Sequence, residues 1–235
     1  MTVKRFESRH SFHEFVYIVQ RRRRFIQDNK INQFLETVLE TCSNRIVNVN
    51  KGTILWRAQL GNETTPTFRN GEVVAQEEKP FSDERMKPLP DQTSEGRINP
   101  KGIPCLYLAT ERDTALAEVR PWIGALITVA QFEVTKDLRV VDCSKNCRHK
   151  APNILGDLNP AEIETLIWSY IDTAFSRPIQ ESDQKPEYAP TQIIAELFRV
   201  NGFDGIKYQS SLGKGQYLAL FDLHCAKVNL RHEAA

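Results

Sequence analysis

Apolar side chains recur between residues 11 and 42 at Phe12, Phe15, Val16, Ile18, Val19, Phe25, Ile26, Ile31, Phe34, Leu35, Val38 and Leu39. This spacing follows the turn of a helix more closely than the pleat of a strand, and the polar break QDNK within it predicts two helices. From Thr53 the period changes. TILWRAQ sets Ile54 and Trp56 against Leu55 and Arg57, the alternation of a short strand with Arg57 near its end. That shift near residue 50 divides the chain into an N-terminal helical extension, residues 1–50, and a main domain, residues 51–235.

The stretch from Gly61 to Glu95 is polar and punctuated by Pro66, Gly71, Pro80, Pro88 and Pro90, and reads as a long excursion with little regular structure. CLYLA is a short strand; Thr110, with Asp113 three residues on, has the form of a helix N-cap followed by an acidic first turn, and Pro121 closes that helix. ITVAQFEV alternates as a strand, with LRVVD as its expected partner. An amphipathic helix is expected around Ala161 to Phe175, a Pro- and charge-rich loop from Ser182 to Pro190, and a further helix from Thr191 to a capping Gly202. GIKYQSS and QYLALFDL flank LGKG as two strands about a glycine-bearing turn. Strand pairing outweighs crossover helices, so the expected fold class is α+β, with mixed, mostly antiparallel strands, and not a doubly wound sheet.

Composition narrows the function. Among 235 residues, 31 basic and 30 acidic side chains leave a net charge of +1, too little for a broad field toward nucleic acid or an anionic membrane. A small substrate or a protein partner is the expectation. The five cysteines are odd in number and scattered, unlike a secreted disulfide framework. No apolar run approaches the roughly 20 residues that span a bilayer, and the N-terminus lacks a signal-peptide core. A cytoplasmic protein is expected. RRRR at Arg21–Arg24 is diluted by Glu14, Asp28, Glu36 and Glu40, and reads as a solvated helix face; an acidic or nucleic-acid partner is the rival reading.

Candidate chemistry concentrates in GRINPKGIPCLYLATERDTALAEVRP, Gly96 to Pro121, which carries Arg97, Tyr107 and Glu118 on three differently shaped segments. Glu118 sits late on a short helix near an apolar boundary. Arg57, beside Trp56 in a strand, suits bidentate contact with phosphate or a structural carboxylate equally well. Arg97 and Asn99 lie in a loop opened by Gly96, where backbone can approach a ligand. Tyr107 could pack in the core or face a flat heteroaromatic ring. Ser210 and Ser211 end a strand as turn residues that could also present hydroxyls. Lys214, between two glycines, invites a phosphate reading, but GKG lacks the length and strand-to-helix setting of a P-loop. Cys143, Cys147 and His149 suggest zinc only weakly, since a fourth ligand and the usual CxxC pairs are missing. No metal is expected.

The arginine in ILWRAQ, the glutamate in TALAEVRP and the serine in GIKYQSSLGKGQYLALF occur in an order that resembles the RES domain family, named for those three residues. GRINPKGIPCLYLA and YAPTQIIAELFRVNGFDGI look like that family too, and the resemblance covers about residues 51 to 223. It implies a fold related to the ADP-ribosyltransferase toxins and an enzyme that consumes NAD+ as substrate, with inorganic phosphate, water or a protein side chain as acceptor. It also implies a toxin paired with an antitoxin carrying an Xre-like DNA-binding region; a homo-oligomer stays open. Arg57, Arg97, Tyr107, Glu118 and Ser210 are the matching positions, with Ser211 one residue away and Ala58 where some members place an aromatic. Cleavage between ribose and nicotinamide develops positive charge on the sugar, which one fixed carboxylate can stabilise, and Glu118 is that candidate. A protein ADP-ribosyltransferase and a catalytically silent interaction module are the alternative readings.

Overall fold

The computed structural model describes residues 4–89, 93–145, 156–177 and 185–234. Two helices open the chain, α1 (Ser11–Arg21) and α2 (Asn29–Thr41). They separate where the sequence breaks: Asp28 caps α2, its carboxylate accepting from Ile31 N at 3.0 Å. Strands β1 (Ile46–Val49) and β2 (Ile54–Leu60) follow, then β3 (Glu63–Arg69), β4 (Glu72–Lys79), β5 (Leu106–Ala109), helix α3 (Arg112–Glu118), β6 (Ile127–Val134) and β7 (Leu138–Asp142). The remainder is α4 (Pro160–Ser176), α5 (Ala189–Val200), β8 (Gly205–Gln209), β9 (Gln216–Leu220) and β10 (Ala226–Ala234). The fold is α+β: apart from the parallel pair β7–β8, the named strands pair antiparallel.

Eight strands form one sheet in the order β1-β7-β8-β9-β5-β2-β6-β10. The expected pairing of β6 with β7 does not occur; β6 lies between β2 and β10, and β7 between β1 and β8. Strands five places apart in a flat sheet are about 24 Å distant, yet the linker 135–137 between β6 and β7 reaches about 14 Å at most. The sheet therefore curls until its two halves face each other. Leu55, Met86, Leu106, Leu108, Phe132, Leu138, Val140, Leu218 and Leu220 fill the inside of that curl. The opposite face of β5, β8 and β9 carries Tyr107, Tyr208, Tyr217 and Ala219 toward the helices.

The excursion expected between Gly61 and Glu95 holds regular structure. β3 and β4 form a separate two-stranded hairpin, exposed along its length. Its turn is Asn70-Gly71, with φ of 55° and 86°, the doubly left-handed turn whose twist suits a hairpin and which asparagine and glycine tolerate best. The supposed N-cap Thr110 is also corrected. Glu111 occupies the cap of α3 without a side-chain bond, while Thr110 Oγ1 accepts from Gln216 N at 2.9 Å.

The N-terminal helices share one core with the main domain. Phe12, Phe15, Ile31, Phe34 and Val38 pack with Ile167, Trp168, Ile171, Phe175, Ile194 and Phe198 of α4 and α5. Phe15 and Phe34 stack at 4.7 Å between centroids, Trp168 Nε1 donates to Thr41 Oγ1 at 3.1 Å, and the Arg45 guanidinium lies 4.3 Å over the Trp168 ring. Within the basic run, Arg22 lies over Tyr17 and Arg23 pairs with Asp28. Phe15→Ala is expected to cost about 3–5 kcal/mol, as large core truncations do. Urea unfolding followed by Trp fluorescence and far-UV circular dichroism should give one coincident transition; an early separate loss of helix would show that residues 1–50 fold apart.

Candidate active site

Between β2 and β5 the ladder is a single register pair, Trp56 opposite Ala109. Beyond it the strands part, and a cavity of about 380 Å³ opens, lined by Arg57, Gln59, Arg85, Lys87, Asn99 and Tyr107 among others. Arg57 Nη1 crosses to the Tyr107 carbonyl at 3.1 Å. With its amide turned so that both atoms find partners, Gln59 holds the same guanidinium, its oxygen accepting from Nη2 at 3.1 Å while its nitrogen donates to the Arg85 carbonyl at 3.1 Å. Arg57 is half-buried, and loss of water lowers its pKa to about 10, opposed by the neighbouring Tyr107 and Tyr217 hydroxyls and reinforced by Arg85.

The Gly96–Asn99 loop is braced from inside. Asn99, 3 % exposed, accepts from Tyr107 Oη at 2.8 Å and donates to the Ser94 carbonyl at 3.0 Å. Ile98 N donates to Tyr107 Oη at 3.2 Å. A Cβ at Gly96 would stand 2.6 Å from Asn99 Oδ1 and 3.0 Å from Tyr107 Oη, so the tie between loop and strand requires glycine. From α5, Gln192 Nε2 reaches the Gly96 carbonyl at 2.9 Å and the Asn99 carbonyl at 3.2 Å. Arg97 Nη1 donates to the Phe175 carbonyl at 2.9 Å, one of the orphan acceptors at the C-terminal end of α4. The Tyr107 hydroxyl is thereby committed to its loop, and burial raises its pKa well above the ordinary phenol value.

Glu118 is the last residue of α3, a seven-residue helix too short to persist on its own. Tertiary bonds hold it. Gly215 N donates to Thr114 Oγ1 at 3.0 Å and Tyr217 Oη to the Thr114 carbonyl at 2.8 Å. A Cβ at Gly213 or Gly215 would approach Thr114 Oγ1 to 2.6 Å, which explains glycine on both sides of Lys214. The exposed Glu118 makes no hydrogen bond or ion pair among the described residues. Its side chain reaches solvent, but the protein around the carboxyl removes enough water to raise its pKa, with Arg97 and then Arg120 pulling the other way. The Tyr217 hydroxyl lies within electrostatic reach of Glu118, Tyr208, Arg57 and Arg97.

The structure thus groups Arg57, Asn99 and Tyr107 around the cavity, whereas Arg97, Glu118 and Ser210 do not line it; Glu118 lies within electrostatic reach of Arg97, Tyr208 and Tyr217. Ser210, 4 % exposed, shapes the β8–β9 turn: its Oγ accepts from Leu212 N at 3.2 Å and Gly213 N at 3.0 Å. Its own O–H donates to no atom among the described residues. Ser211 and the Lys214 side chain are exposed. Residues that sequence reasoning passed over are Arg85 and Lys87 in the cavity, and Thr114, Gln192, Tyr208 and Tyr217 around it; only the alternation that places Tyr208 and Tyr217 on one sheet face was visible beforehand. Cys147 and His149 lie outside the described residues, and among the described ones no three His, Cys, Asp or Glu side chains cluster as metal ligands. No helix of the described chain is long and apolar enough to cross a membrane.

Comparison with known proteins adds the following. No curated protein matches the chain. Among solved structures, a chain of the crystal structure of the M. tuberculosis MbcT–MbcA toxin–antitoxin complex is similar at a TM-score of 0.42 and 13% sequence identity, covering 84% of this chain and 92% of that one. The RES domain family matches residues 55–234, a span that contains Arg57, Arg97, Tyr107, Glu118 and Ser210 and most of the curled sheet. By that match the chain belongs to the RES domain family.

Proposed function

We propose that this protein cleaves the nicotinamide–ribose bond of NAD+, passing the ADP-ribosyl group to phosphate or water, and that it is the toxin of a toxin–antitoxin pair whose antitoxin carries an Xre-like region. The observation that carries the reading is the Glu118 carboxylate, unpaired among the described residues yet within electrostatic reach of Arg97 and the Tyr208–Tyr217 pair. As the bond breaks, its electron pair passes to the pyridinium nitrogen, so nicotinamide leaves neutral and needs no proton. The sugar C1′ becomes electron-poor. A carboxylate free of a structural partner is available to stabilise that charge. A phosphate or water oxygen then supplies the electron pair of the new C1′–O bond, water releasing a proton as it does so.

In this reading Arg57 and Arg97, each anchored by one backbone carbonyl, direct charge-assisted bonds to anionic oxygens. Tyr107, its hydroxyl held by Asn99, presents a fixed ring to the nicotinamide. Ser210 offers its unused O–H to the nicotinamide ribose or amide, with Ser211 and Lys214 on the outer side of the same turn. Transfer to a protein side chain is the second reading. It is favoured by the exposed Trp122 and Ile123, 67% and 104% exposed, which follow Glu118 closely in sequence and could meet a protein acceptor.

Incubation of the purified chain with NAD+, with and without phosphate, tests these readings: nicotinamide with free ADP-ribose or its phosphate supports the first, and label in protein supports the second. Glu118→Gln should keep the thermal midpoint and lose about a hundredfold or more in nicotinamide release; an unchanged rate removes Glu118 from the chemistry. The pH dependence has a definite sign. Because the folded carboxyl has a raised pKa, its ionised form is lost on acidification sooner than in an ordinary glutamate, and the acid limb of kcat/KM should fall above 4.5. Arg120→Gln, which withdraws a charge that opposes the rise, should move that limb upward; a limb at or below the ordinary carboxylate range would contradict the assignment.

A further inference from the structure

Arg85 and Lys87 stand on the segment that follows the exposed hairpin, on either side of Met86, which is completely buried in the core inside the curled sheet. The burial of Met86 fixes a stretch that would otherwise be a mobile loop. Met86 N donates to the Ser82 carbonyl at 2.9 Å, Gln59 holds the Arg85 carbonyl, and Lys87 Nζ donates to the Leu223 carbonyl at 2.9 Å. Both cationic residues line the same cavity as Arg57, and Arg57 and Arg85 are close enough to repel. Among the described residues none of the three forms an ion pair. Among the described residues the one carboxylate lining the cavity, Glu95, accepts from Gln192 at 3.2 Å.

Three cationic side chains gathered in one cleft without a carboxylate partner among the described residues raise the free energy of the empty protein. Such an arrangement is relieved by an anion. We propose that Arg57, Arg85 and Lys87 form a subsite for a phosphoryl group, with Arg85 and Lys87 as its specificity-determining residues. The cavity is polar and large enough, at about 380 Å³, to hold a phosphate with its hydrogen-bonding shell. Arginine supplies a planar fork of donors and lysine a compact charge. The inference rests on reading this cleft as the NAD+ site, because the phosphoryl group is then either the inorganic phosphate acceptor or the pyrophosphate of the dinucleotide.

Calorimetric titration of the full chain with inorganic phosphate and, separately, with ADP tests the subsite without requiring turnover. The Arg85→Gln/Lys87→Gln double variant should weaken at least one of the two probes about tenfold or more, as expected for lost charge-assisted bonds. The Arg85→Lys/Lys87→Arg variant, which keeps the charges, should recover part of that loss. Weakened phosphate with ADP retained assigns the subsite to the free acceptor. Weakened ADP, with or without phosphate, assigns it to the pyrophosphate. Absence of binding of either probe by the unmodified chain, or unchanged binding of both by a folded double variant, overturns the proposal. Should the double variant fail to fold, the single variants Arg85→Gln and Lys87→Gln take its place, and unchanged binding of both probes by each of them overturns the proposal. An absence of nicotinamide release with intact titrations would refute the NAD+ chemistry and leave the subsite standing.

Discussion

The cleft exists because β2 and β5 share one register pair, Trp56 opposite Ala109, and then part. Continued pairing would bring the two strands to about 5 Å and close the cavity. Each strand is held on its own side: Leu55 and Leu108 in the core inside the curl, Trp56 and Tyr107 against the helical core. Where the ladder stops, a backbone acceptor needs a new donor, and Arg57 supplies it to the Tyr107 carbonyl. The arginine therefore marks the point of divergence and lines the space that divergence creates. Its half-buried position and lowered pKa follow from that location.

The cations of the cleft and the Glu118 carboxylate form no ion pair among the described residues. Arg57, Arg85 and Lys87 line the cleft without ion-pair partners among the described residues, and Glu118, outside that lining, is in the same condition. Burial keeps the Tyr107, Tyr208 and Tyr217 hydroxyls protonated, so the tyrosines add no charge of their own. A net charge of +1 over the whole chain conceals this local polarity. Fields of this kind act at short range, in sites from which water is partly excluded.

The features legible in the sequence are those that local pattern determines. Alternation located β2, β6, β8 and β9, helical spacing located α1, α2, α4 and α5, and of the separated arginine, glutamate and serine motifs the first contains Arg57, which lines the cleft. Pairing was not legible, because ITVAQFEV and LRVVD read the same whether they face each other or bend into opposite halves of a curled sheet. Thr110 misled for a related reason: its hydroxyl can serve a helix N-terminus or a strand N–H, and only the position of Gln216 decides. The β3–β4 hairpin was legible in principle, since Asn70-Gly71 is a strong turn signal, but the surrounding prolines and charges obscured it. Arg85 and Lys87 resembled solvated surface cations until the burial of Met86 fixed their place.

The N-terminal helices are tied to the cleft through α4. Phe12, Phe15 and Phe34 pack into the core that runs along α4 to Phe175. That residue faces Tyr208 with centroids 6.1 Å apart and gives its carbonyl to Arg97. Tyr208 stacks in turn on Tyr217 at 5.9 Å. A displacement of α1 or α2 would be felt by α4, because close-packed cores shift as bodies and do not absorb a gap locally. The loop carrying Arg97 would follow α4, whereas α3 is held from the other side by Thr114 and the β8–β9 turn. The separation of Arg97 from Glu118 is thus set by the packing of segments far from either residue in sequence, which gives residues 1–50 a direct mechanical bearing on the charge balance of the site.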